Sequence, residues 1–228
     1  MTKDANVDGK YYEVISSGGI AERLLVVARD RLYADFLEYT HVERGEKILD
    51  VGVSDVISTG ANVLERNYPY PSDITACGIS TAPDFVAAFP NIRYVQIIPN
   101  QRLPFEDGEF EVATANAVLE HVGSHQNQLD FVAELARVSR KAFLTVPNRL
   151  FPIEHHTSIP FLHYWDRTFR VSCQLLGKTS WTDQTNLILM TAARLRSLVP
   201  SGYRSTVGFT GLNIGAFSSN LFMYLERN

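Results

Sequence analysis

The chain has few cysteines, little net charge and no long apolar run. Cys77 and Cys173 are the only cysteines among its 228 residues, too few for a disulfide framework or a zinc cluster. The net charge of −4 lacks the basic excess of proteins that bind nucleic acid. No apolar run approaches the roughly 20 residues of a membrane-spanning helix, and the polar first residues lack a signal-peptide pattern. We therefore expect a cytoplasmic protein with no nucleic-acid partner and no transmembrane segment.

Hydrophobic residues make up 45% of the chain, which is enough to bury one sizeable core. We therefore predict a single domain over residues 1–228. Residues 1–19 are expected to form a loose arm. Residues 148–180, which are rich in aromatic residues and histidine, are expected to form an insert on the substrate side of that domain.

Short apolar segments alternate with segments of helical periodicity. The predicted strands are residues 47–53, 74–79, 92–98, 110–115, 141–146, 203–209 and 220–225. The predicted helices are residues 21–39, 60–67, 125–139 and 191–199, and one that Thr81 caps, with Pro83 in its first turn. Such alternation is typical of a parallel sheet covered on both faces. We predict a Rossmann-like α/β fold with a mostly parallel seven-stranded sheet, helices on both faces and a hairpin-like edge.

Ligands of open α/β sheets bind beyond the carboxyl ends of the strands. The segment after the first predicted strand, Asp50-Val-Gly-Val-Ser-Asp, contains Gly52, which would let the backbone approach a ligand. Asp50 is suited to accept hydrogen bonds from loop amides or from an ammonium group. The G-x-G-x-x-G pattern of nicotinamide dinucleotide sites is absent, and Asp55 is unsuited to a pyrophosphate. An ordinary strand-to-helix turn remains an equal alternative for this loop taken alone.

Two later segments carry a more specific pattern, LPFEDGEFE at residues 103–111 and NAVLEHV at residues 116–122. They resemble the small-molecule family of class I S-adenosylmethionine-dependent methyltransferases, in which LPF-x-D-x-x-FD precedes an E-H-V/L turn. The segment NRLFPIEHHT at residues 148–157 and the tail Ser219-Asn-Leu resemble a bacterial subgroup with N-R-x-F-P-x-E-x-H-T. The resemblance covers roughly residues 45–225.

The resemblance implies S-adenosylmethionine as the cofactor. The implied cofactor-binding residues are Asp50, Gly52, Val53, Ser54, Ile79, Ser80, Asn100, Gln101, Arg102, Leu103, Asn116, Ala117 and His121. Two positions depart from the family pattern, since Ser80 stands where an acid usually binds the ribose and Asn100 where an aspartate usually binds the adenine. Losing one charge-assisted hydrogen bond costs about 1.5–3 kcal/mol, so these departures bear on cofactor affinity.

Methyl transfer to a hydroxyl group needs a base, and histidine suits this role near neutral pH. The candidate catalytic residues are His156, which matches the subgroup histidine, His155 beside it, and His121, whose family counterpart lies near the cofactor. A structural bracing role is the alternative for each. No H-x-x-x-H or H-E-x-x-H spacing occurs, so the sequence predicts no metal site.

Two functional hypotheses follow. The first is a methyltransferase acting on a small hydroxyl-bearing molecule, for which the subgroup suggests a carbohydrate or lipid-linked glycan intermediate. Candidate substrate residues are Arg149, His163 and Trp165, in a segment that forms either a lid or a helix packed on the sheet. The second hypothesis, motivated by Ser80 and Asn100, is a methyltransferase-like protein that binds a ligand or partner without catalysis. The sequence predicts neither the acceptor atom nor the oligomeric state.

Overall fold

The computed structural model describes residues 20–58 and 60–228; the predicted arm at residues 1–19 lies outside them. The helices are α1 (Ile20–Thr40), α2 (Val63–Asn67), α3 (Pro83–Ala88), α4 (His125–Val138), α5 (Asp166–Leu175) and α6 (Ala192–Arg196). The strands are β1 (Ile48–Val51), β2 (Ile74–Gly78), β3 (Arg93–Gln96), β4 (Phe110–Asn116), β5 (Ser139–Pro147), β6 (Tyr203–Ile214) and β7 (Phe217–Arg227). Short 3-10 helices cover Pro71–Asp73, Leu119–His121, Leu162–Tyr164 and Thr179–Thr182. No helix in the described part of the chain combines the length and apolarity needed to cross a bilayer.

The strands form one seven-stranded sheet in the order β3-β2-β1-β4-β5-β7-β6. Strands β1 to β5 are parallel, whereas β7 runs antiparallel to both β5 and β6. The sheet is therefore mixed, and the predicted Rossmann-like architecture with a hairpin-like edge is confirmed. The antiparallel pairing follows from the two-residue connection between β6 and β7, since a parallel pair needs a crossover of a dozen residues or more.

The two faces of the sheet carry separate hydrophobic cores. Neighbouring strand residues project to opposite faces, so Ile48 joins a core with Phe36 of α1, while Leu49 joins one with Val132 and Leu135 of α4. Helices therefore cover both faces, as predicted. This two-sided burial explains why the central strands are apolar throughout rather than alternating.

The start of α3 differs from the prediction. The predicted cap at Thr81 is wrong: the N-cap residue is Ala82, in a left-handed conformation, and its side chain makes no capping bond. Pro83 occupies the first turn, as predicted. The N–H of Phe85 instead donates to Oδ1 of Asp55 at 2.9 Å, so an acid from the loop after β1 satisfies a free amide at this helix start.

Arg137, near the end of α4, ties the segment at residues 103–107 to the helix. Its guanidinium donates to both carboxylate oxygens of Glu134 at 2.9 Å, to the carbonyl oxygens of Leu103 and Phe105 at 3.1 and 2.9 Å, and to Asp107 at 2.7 Å. The planar fork of arginine suits this set of acceptors in a way that lysine cannot reproduce. The guanidinium therefore fixes the position of the segment that leads from β3 to β4.

Arg137→Lys is expected to lower the free energy of unfolding by about 1.5–3 kcal/mol, because hydrogen bonds to charged acceptors are lost. Urea unfolding followed by circular dichroism measures this change. The matched control is Arg140→Lys, since Arg140 is largely exposed and makes one long ion pair, at 3.6 Å, with Glu111. The control should change stability by less than about 0.5 kcal/mol. Equal effects of the two substitutions would contradict the clamp assigned to Arg137.

Candidate functional site

Two cavities open at the carboxyl edge of the sheet and share Gly52 and His121 as lining residues. The first cavity, of about 150 Å³, lies between α1, the loop after β1 and the ends of β4 and β5. The second cavity, of about 530 Å³, lies between the ends of β2 and β3 and helix α4. Together they place a two-part binding site where open α/β sheets bind ligands.

The first cavity is lined by one basic and one acidic side chain. Arg29 of α1 is only 8% exposed, and Asp50 lies at the end of β1. Two hydrogen bonds between Ser54 and Asn62 fix the loop after β1. The Ser54 N–H donates to Oδ1 of Asn62 at 3.0 Å, and Nδ2 of Asn62 donates to the carbonyl oxygen of Ser54 at 2.8 Å. The cavity thus offers a cation and an anion on a rigid frame.

Asp50 forms a buried pair with Glu65 of α2. Burial raises the pKa of Asp50 to about 6. Burial, together with the Asp50 charge, raises the pKa of Glu65 well above its ordinary value. The two carboxyl groups are hydrogen-bonded to each other through their side chains. A proton held by Glu65 and donated to Asp50 is therefore what joins the two acids.

Gly52 is held against the 3-10 turn that follows β4. Its φ is +98°, and a Cβ atom built on it would lie 2.2 Å from Cγ2 of Val118. Its N–H donates to the Cys77 carbonyl at 2.8 Å. Only glycine fits this position. The close neighbour is thus a protein side chain, whereas the sequence suggested a ligand.

The second cavity has apolar walls and amide and carboxyl groups at its rim. Its lining residues include Ile79, Ile98, Leu103, Val118, Phe131, Asn100, Asn127, Asp130 and Glu134. Asn100 adopts a left-handed conformation, with φ of 57°. Ser80 does not line this cavity; its carbonyl oxygen accepts a hydrogen bond from the hydroxyl of Tyr94 at 2.6 Å. Helix α4 therefore supplies two acids to this cavity, Asp130 and Glu134, whereas the ends of β2 and β3 supply none.

A histidine cluster lies behind the boundary between the cavities. Nε2 of His121 and Nε2 of His156 lie 3.2 Å apart. Nδ1 of His156 lies 2.8 Å from Oε1 of Glu154, and Nδ1 of His121 lies 2.6 Å from the carbonyl oxygen of Asn186. Glu120 is 1% exposed, and its Oε1 lies 3.9 Å from Nε2 of His121. Two histidines and two acids from different segments thus converge on one point.

Burial dominates the protonation of this cluster. It raises the pKa of Glu120 to about 7 and lowers the pKa of His121. Burial opposes the ionisation of Glu154 as well, but hydrogen bonds from His156 and Thr157 outweigh it and lower the pKa of Glu154 to about 2. Burial lowers the pKa of His155 to about 4. Glu154 is thus the ionised acid of the group and His155 a neutral histidine.

The structure brings most of the predicted cofactor residues together. The ones that line the first cavity are Asp50, Gly52, Val53, Ser54, Asn116, Ala117 and His121. The ones that line the second cavity are Gly52, Ile79, Asn100, Gln101, Arg102, Leu103 and His121. Only Ser80 among the predicted set lines neither cavity. Of the predicted catalytic histidines, His121 lines both cavities, whereas His155 and His156 line a small third cavity behind it.

The predicted substrate residues lie in the connection between β5 and α5. Arg149 donates to the carbonyl oxygens of His163 and Tyr164 at 3.1 and 3.2 Å and to Asp166 at 2.5 Å. The Nε2 of His163 bonds to the carbonyl oxygen of Phe151 at 2.8 Å. These contacts fold the segment onto itself. Trp165 is 64% exposed and lines neither of the two large cavities, so a substrate role for the three remains a prediction.

Sequence reasoning missed several lining residues on helices. Arg29 stands with Leu32, Tyr33 and Phe36 on one face of α1, and all four line the first cavity. Their spacing of three and four residues is the signal that would have found Arg29, because a charge on a buried helical stripe needs a reason. Asn127, Asp130 and Glu134 show the same spacing on α4.

Residues 49–142 match the family model described as "Methyltransferase domain". This match, together with the methyltransferase structures described below, agrees with the predicted enzyme class, a methyltransferase, and with S-adenosylmethionine as the predicted cofactor. It ends before residues 148–157, so membership of the bacterial subgroup remains a prediction. A comparison with curated proteins gave no match.

Solved structures show the same fold. An S-adenosylmethionine-dependent methyltransferase from Aquifex aeolicus is similar with a TM-score of 0.55 and 13% identity, over 96% of this chain and 98% of that one. A protein from Pyrococcus horikoshii has a TM-score of 0.59 and 13% identity, over 96% and 95%. The magnesium protoporphyrin IX methyltransferase from Synechocystis, solved with bound SAH, has a TM-score of 0.58 and 12% identity, over 97% of both chains.

The buried carboxyl pair makes stability depend on pH. Folded-state pKa values that are raised mean that the folded protein holds protons the unfolded chain releases. The stability that this carboxyl pair contributes is therefore fully present below the ordinary pKa of about 4.5 and is lost as the pH rises through about 6 and beyond.

Glu65→Gln should raise the free energy of unfolding at pH 8 by about 1–3 kcal/mol, because the amide donates to Asp50 without a bound proton. Urea unfolding at pH 5 and pH 8 measures this difference. Glu38→Gln, an exposed control on α1, should leave the pH profile of the wild type in place, and an unchanged profile in Glu65→Gln would refute the shared proton.

Proposed function

We propose that this S-adenosylmethionine-dependent methyltransferase transfers a methyl group to a hydroxyl group of a small molecule, with a carbohydrate as the acceptor class. The observation that carries the proposal is the position of His121, which lies where the two cavities meet. A side chain at that boundary reaches the reacting end of a cofactor that spans both cavities. Methyl transfer requires such a boundary, because the acceptor and the methyl group must meet in line and out of water.

The lining residues fit the cofactor. The buried guanidinium of Arg29 and the carboxyl group of Asp50 in the first cavity suit an amino acid that carries both a carboxylate and an ammonium group. The apolar walls of the second cavity, with the amides of Asn100 and Asn127, suit a purine nucleoside. When bound, S-adenosylmethionine supplies the electrophilic methyl carbon.

Asp130 and Glu134 support cofactor binding despite the departures at Ser80 and Asn100. Both acids line the second cavity, although Glu134 is also held by Arg137. Asp130 has one hydrogen bond, from Nε2 of Gln126 at 2.9 Å, and its carboxylate has capacity for further donors. These groups weaken the reason for the second hypothesis, a binding protein without catalysis, which no observation favours.

The histidine cluster supports a hydroxyl acceptor, since a hydroxyl must lose its proton for the oxygen to attack. Glu154 holds His156, and His156 faces His121. This chain of polar contacts orients His121 at the boundary of the cavities and stabilises positive charge that develops there. His155 lies farther from the two large cavities, with its ring against that of Phe151, and this position suits a structural role.

The insert at residues 148–180 supports an acceptor carried on a larger apolar molecule. Phe161, Trp165 and Leu175 are exposed large apolar side chains of this segment, and exposed apolar clusters mark surfaces that bind partners or lipids. The carbohydrate class itself rests on the resemblance of residues 148–157 to the glycan-associated subgroup. A lipid-linked glycan intermediate satisfies both considerations.

Gly52→Ala should weaken binding of S-adenosylmethionine by about tenfold or more, a cost of about 1.4 kcal/mol. The added methyl group collides with Val118 and displaces the wall shared by the two cavities. Isothermal titration calorimetry with S-adenosylmethionine and S-adenosylhomocysteine measures the change. Gly108→Ala is the matched control, because Gly108 has a similar φ of +67° and no atom within 4 Å of an added Cβ. Wild-type affinity in Gly52→Ala would exclude this wall from the cofactor site.

His156→Ala should lower turnover by about 100-fold while changing S-adenosylmethionine affinity by less than about threefold, since His156 acts through His121 and lines neither of the two large cavities. Radiolabelled methyl transfer to a panel of monosaccharides, nucleotide sugars and polyprenyl-linked sugars measures turnover. His125→Ala, an exposed histidine at the start of α4, serves as the control and should retain activity. Undiminished transfer in His156→Ala would reduce this residue to a bracing role. Absence of transfer to every panel member by the wild type would count against the carbohydrate class.

A further inference from the structure

We propose that Glu120, His121 and His156 form a binding site for a divalent transition-metal ion at the boundary of the two cavities. Glu120 and His121 belong to the 3-10 turn after β4, and His156 belongs to the insert after β5. The ligand atoms of the three residues all lie within 4.8 Å of one another. Spacing along the chain gives no sign of this site, because the fold joins two histidines that are 35 positions apart.

The hydrogen bonds of the two histidines determine which ring nitrogen of each carries the proton. A backbone carbonyl oxygen only accepts, so Nδ1 of His121 donates to Asn186. Oε2 of Glu154 accepts hydrogen bonds from the N–H groups of His156 and Thr157 and from the Thr157 hydroxyl, and its Oε1 lies 2.8 Å from Nδ1 of His156, so that this nitrogen donates to the carboxyl group. In the neutral form, each imidazole then presents the lone pair of Nε2 to the other ring across 3.2 Å. Two lone pairs at this distance repel, whereas a cation shared by the two nitrogens, either a proton or a metal ion, stabilises the pair.

The distances suit one shared ion. Zinc binds imidazole nitrogen at about 2.0–2.1 Å, so two nitrogen ligands at a tetrahedral angle lie about 3.4 Å apart. The separation of the two Nε2 atoms is 3.2 Å. Oε1 of Glu120 lies 3.9 Å from Nε2 of His121, so a side-chain movement of about 1 Å completes the third ligand.

Glu120 supplies an independent observation. It is 1% exposed, and neither of its carboxyl oxygens has a hydrogen-bond partner among the described residues. A buried carboxyl group without partners is costly to fold around. A metal ion bound to the two neighbouring histidines would provide the missing partner.

The ligand set defines the class of metal. Two imidazoles and one carboxylate favour zinc and its first-row neighbours over magnesium and calcium, which prefer oxygen ligands alone. Both histidines already have the outer hydrogen bonds that metal-binding histidines use, one to a carbonyl oxygen and one to a carboxylate. Three protein ligands leave a coordination position open, as in catalytic zinc sites.

The open position has a use in the reaction, and this step rests on the proposed function. Because His121 lines both cavities, an ion bound to its Nε2 would lie next to their boundary, on the side of His156. Coordination would lower the pKa of an acceptor hydroxyl, and S-adenosylmethionine would supply the methyl group that replaces the hydroxyl proton.

Calorimetric titration of the metal-stripped full chain tests the site. Zn²⁺ should bind more tightly than Mn²⁺, and Mn²⁺ more tightly than Mg²⁺. Glu120→Gln and His156→Ala should each weaken Zn²⁺ binding by more than about tenfold. Removing a residue that only hydrogen-bonds to a metal ligand already lowers metal affinity by about 10-fold or more, and these substitutions change the ligands themselves. His125→Ala is the control and should bind as the wild type does. Co²⁺, whose bound form has visible absorption, provides a spectroscopic reading of the same variants.

Thermal unfolding separates loss of a ligand from loss of the fold. Glu120→Gln should raise the Tm of the metal-free protein, because it removes a buried partnerless acid, and should also abolish the rise in Tm that Zn²⁺ produces in the wild type. Wild-type protein that binds none of the three ions, or variants that bind Zn²⁺ as the wild type does, would overturn the site. These titrations contain neither cofactor nor acceptor. A chain that binds Zn²⁺ but not S-adenosylmethionine would therefore contradict the proposed function alone.

Discussion

The contact between Gly52 and Val118 organises the functional edge of the sheet. The left-handed backbone of Gly52 leaves no room for a Cβ atom, so the loop after β1 lies directly on the turn after β4. That closeness makes Gly52 and His121 common walls of two cavities instead of residues of separate clefts. The placement of the histidine cluster follows, since Glu120 and His121 belong to the same turn.

Buried acids are the second constraint on this site. Asp50, Glu65 and Glu120 all lie in the protein interior with raised pKa values, and burial is the largest cause for each. A fold that needed only stability would replace such groups by apolar ones, because uncompensated buried acids are costly. Asp50 lines the first cavity, and above a pH of about 6 its carboxylate places negative charge beside any positively charged group of a bound ligand. The energetic cost within the empty fold thus becomes attraction in a complex.

The sequence predicted the architecture well and the site in part. Apolar periodicity located the strands and the long helices, because the sheet is buried on both faces and the pattern is strong. The loop residues at strand ends followed from the topology of the sheet together with the family resemblance. Helical contributors such as Arg29 and Asp130 did not, since which helix faces the cavities depends on packing. The approach of His156 to His121 was beyond reach, because it is fixed by the folding of the insert. The predicted cap of α3 was wrong for a related reason, since the helix start is stabilised by Asp55, which is 30 residues away from Phe85 in the sequence.

The place of β7 between β5 and β6 has a consequence for biosynthesis. Every other strand emerges from the ribosome before β7, yet β6 pairs with the sheet only through it. The insert depends on it too, because the N–H and the Nδ2 of Asn148 donate to the carbonyl oxygens of Ser219 and Ser218, at 2.8 and 2.9 Å. A nascent chain halted before β7 therefore exposes the open edge of β5 and an unanchored histidine segment, which is the kind of surface that chaperones engage.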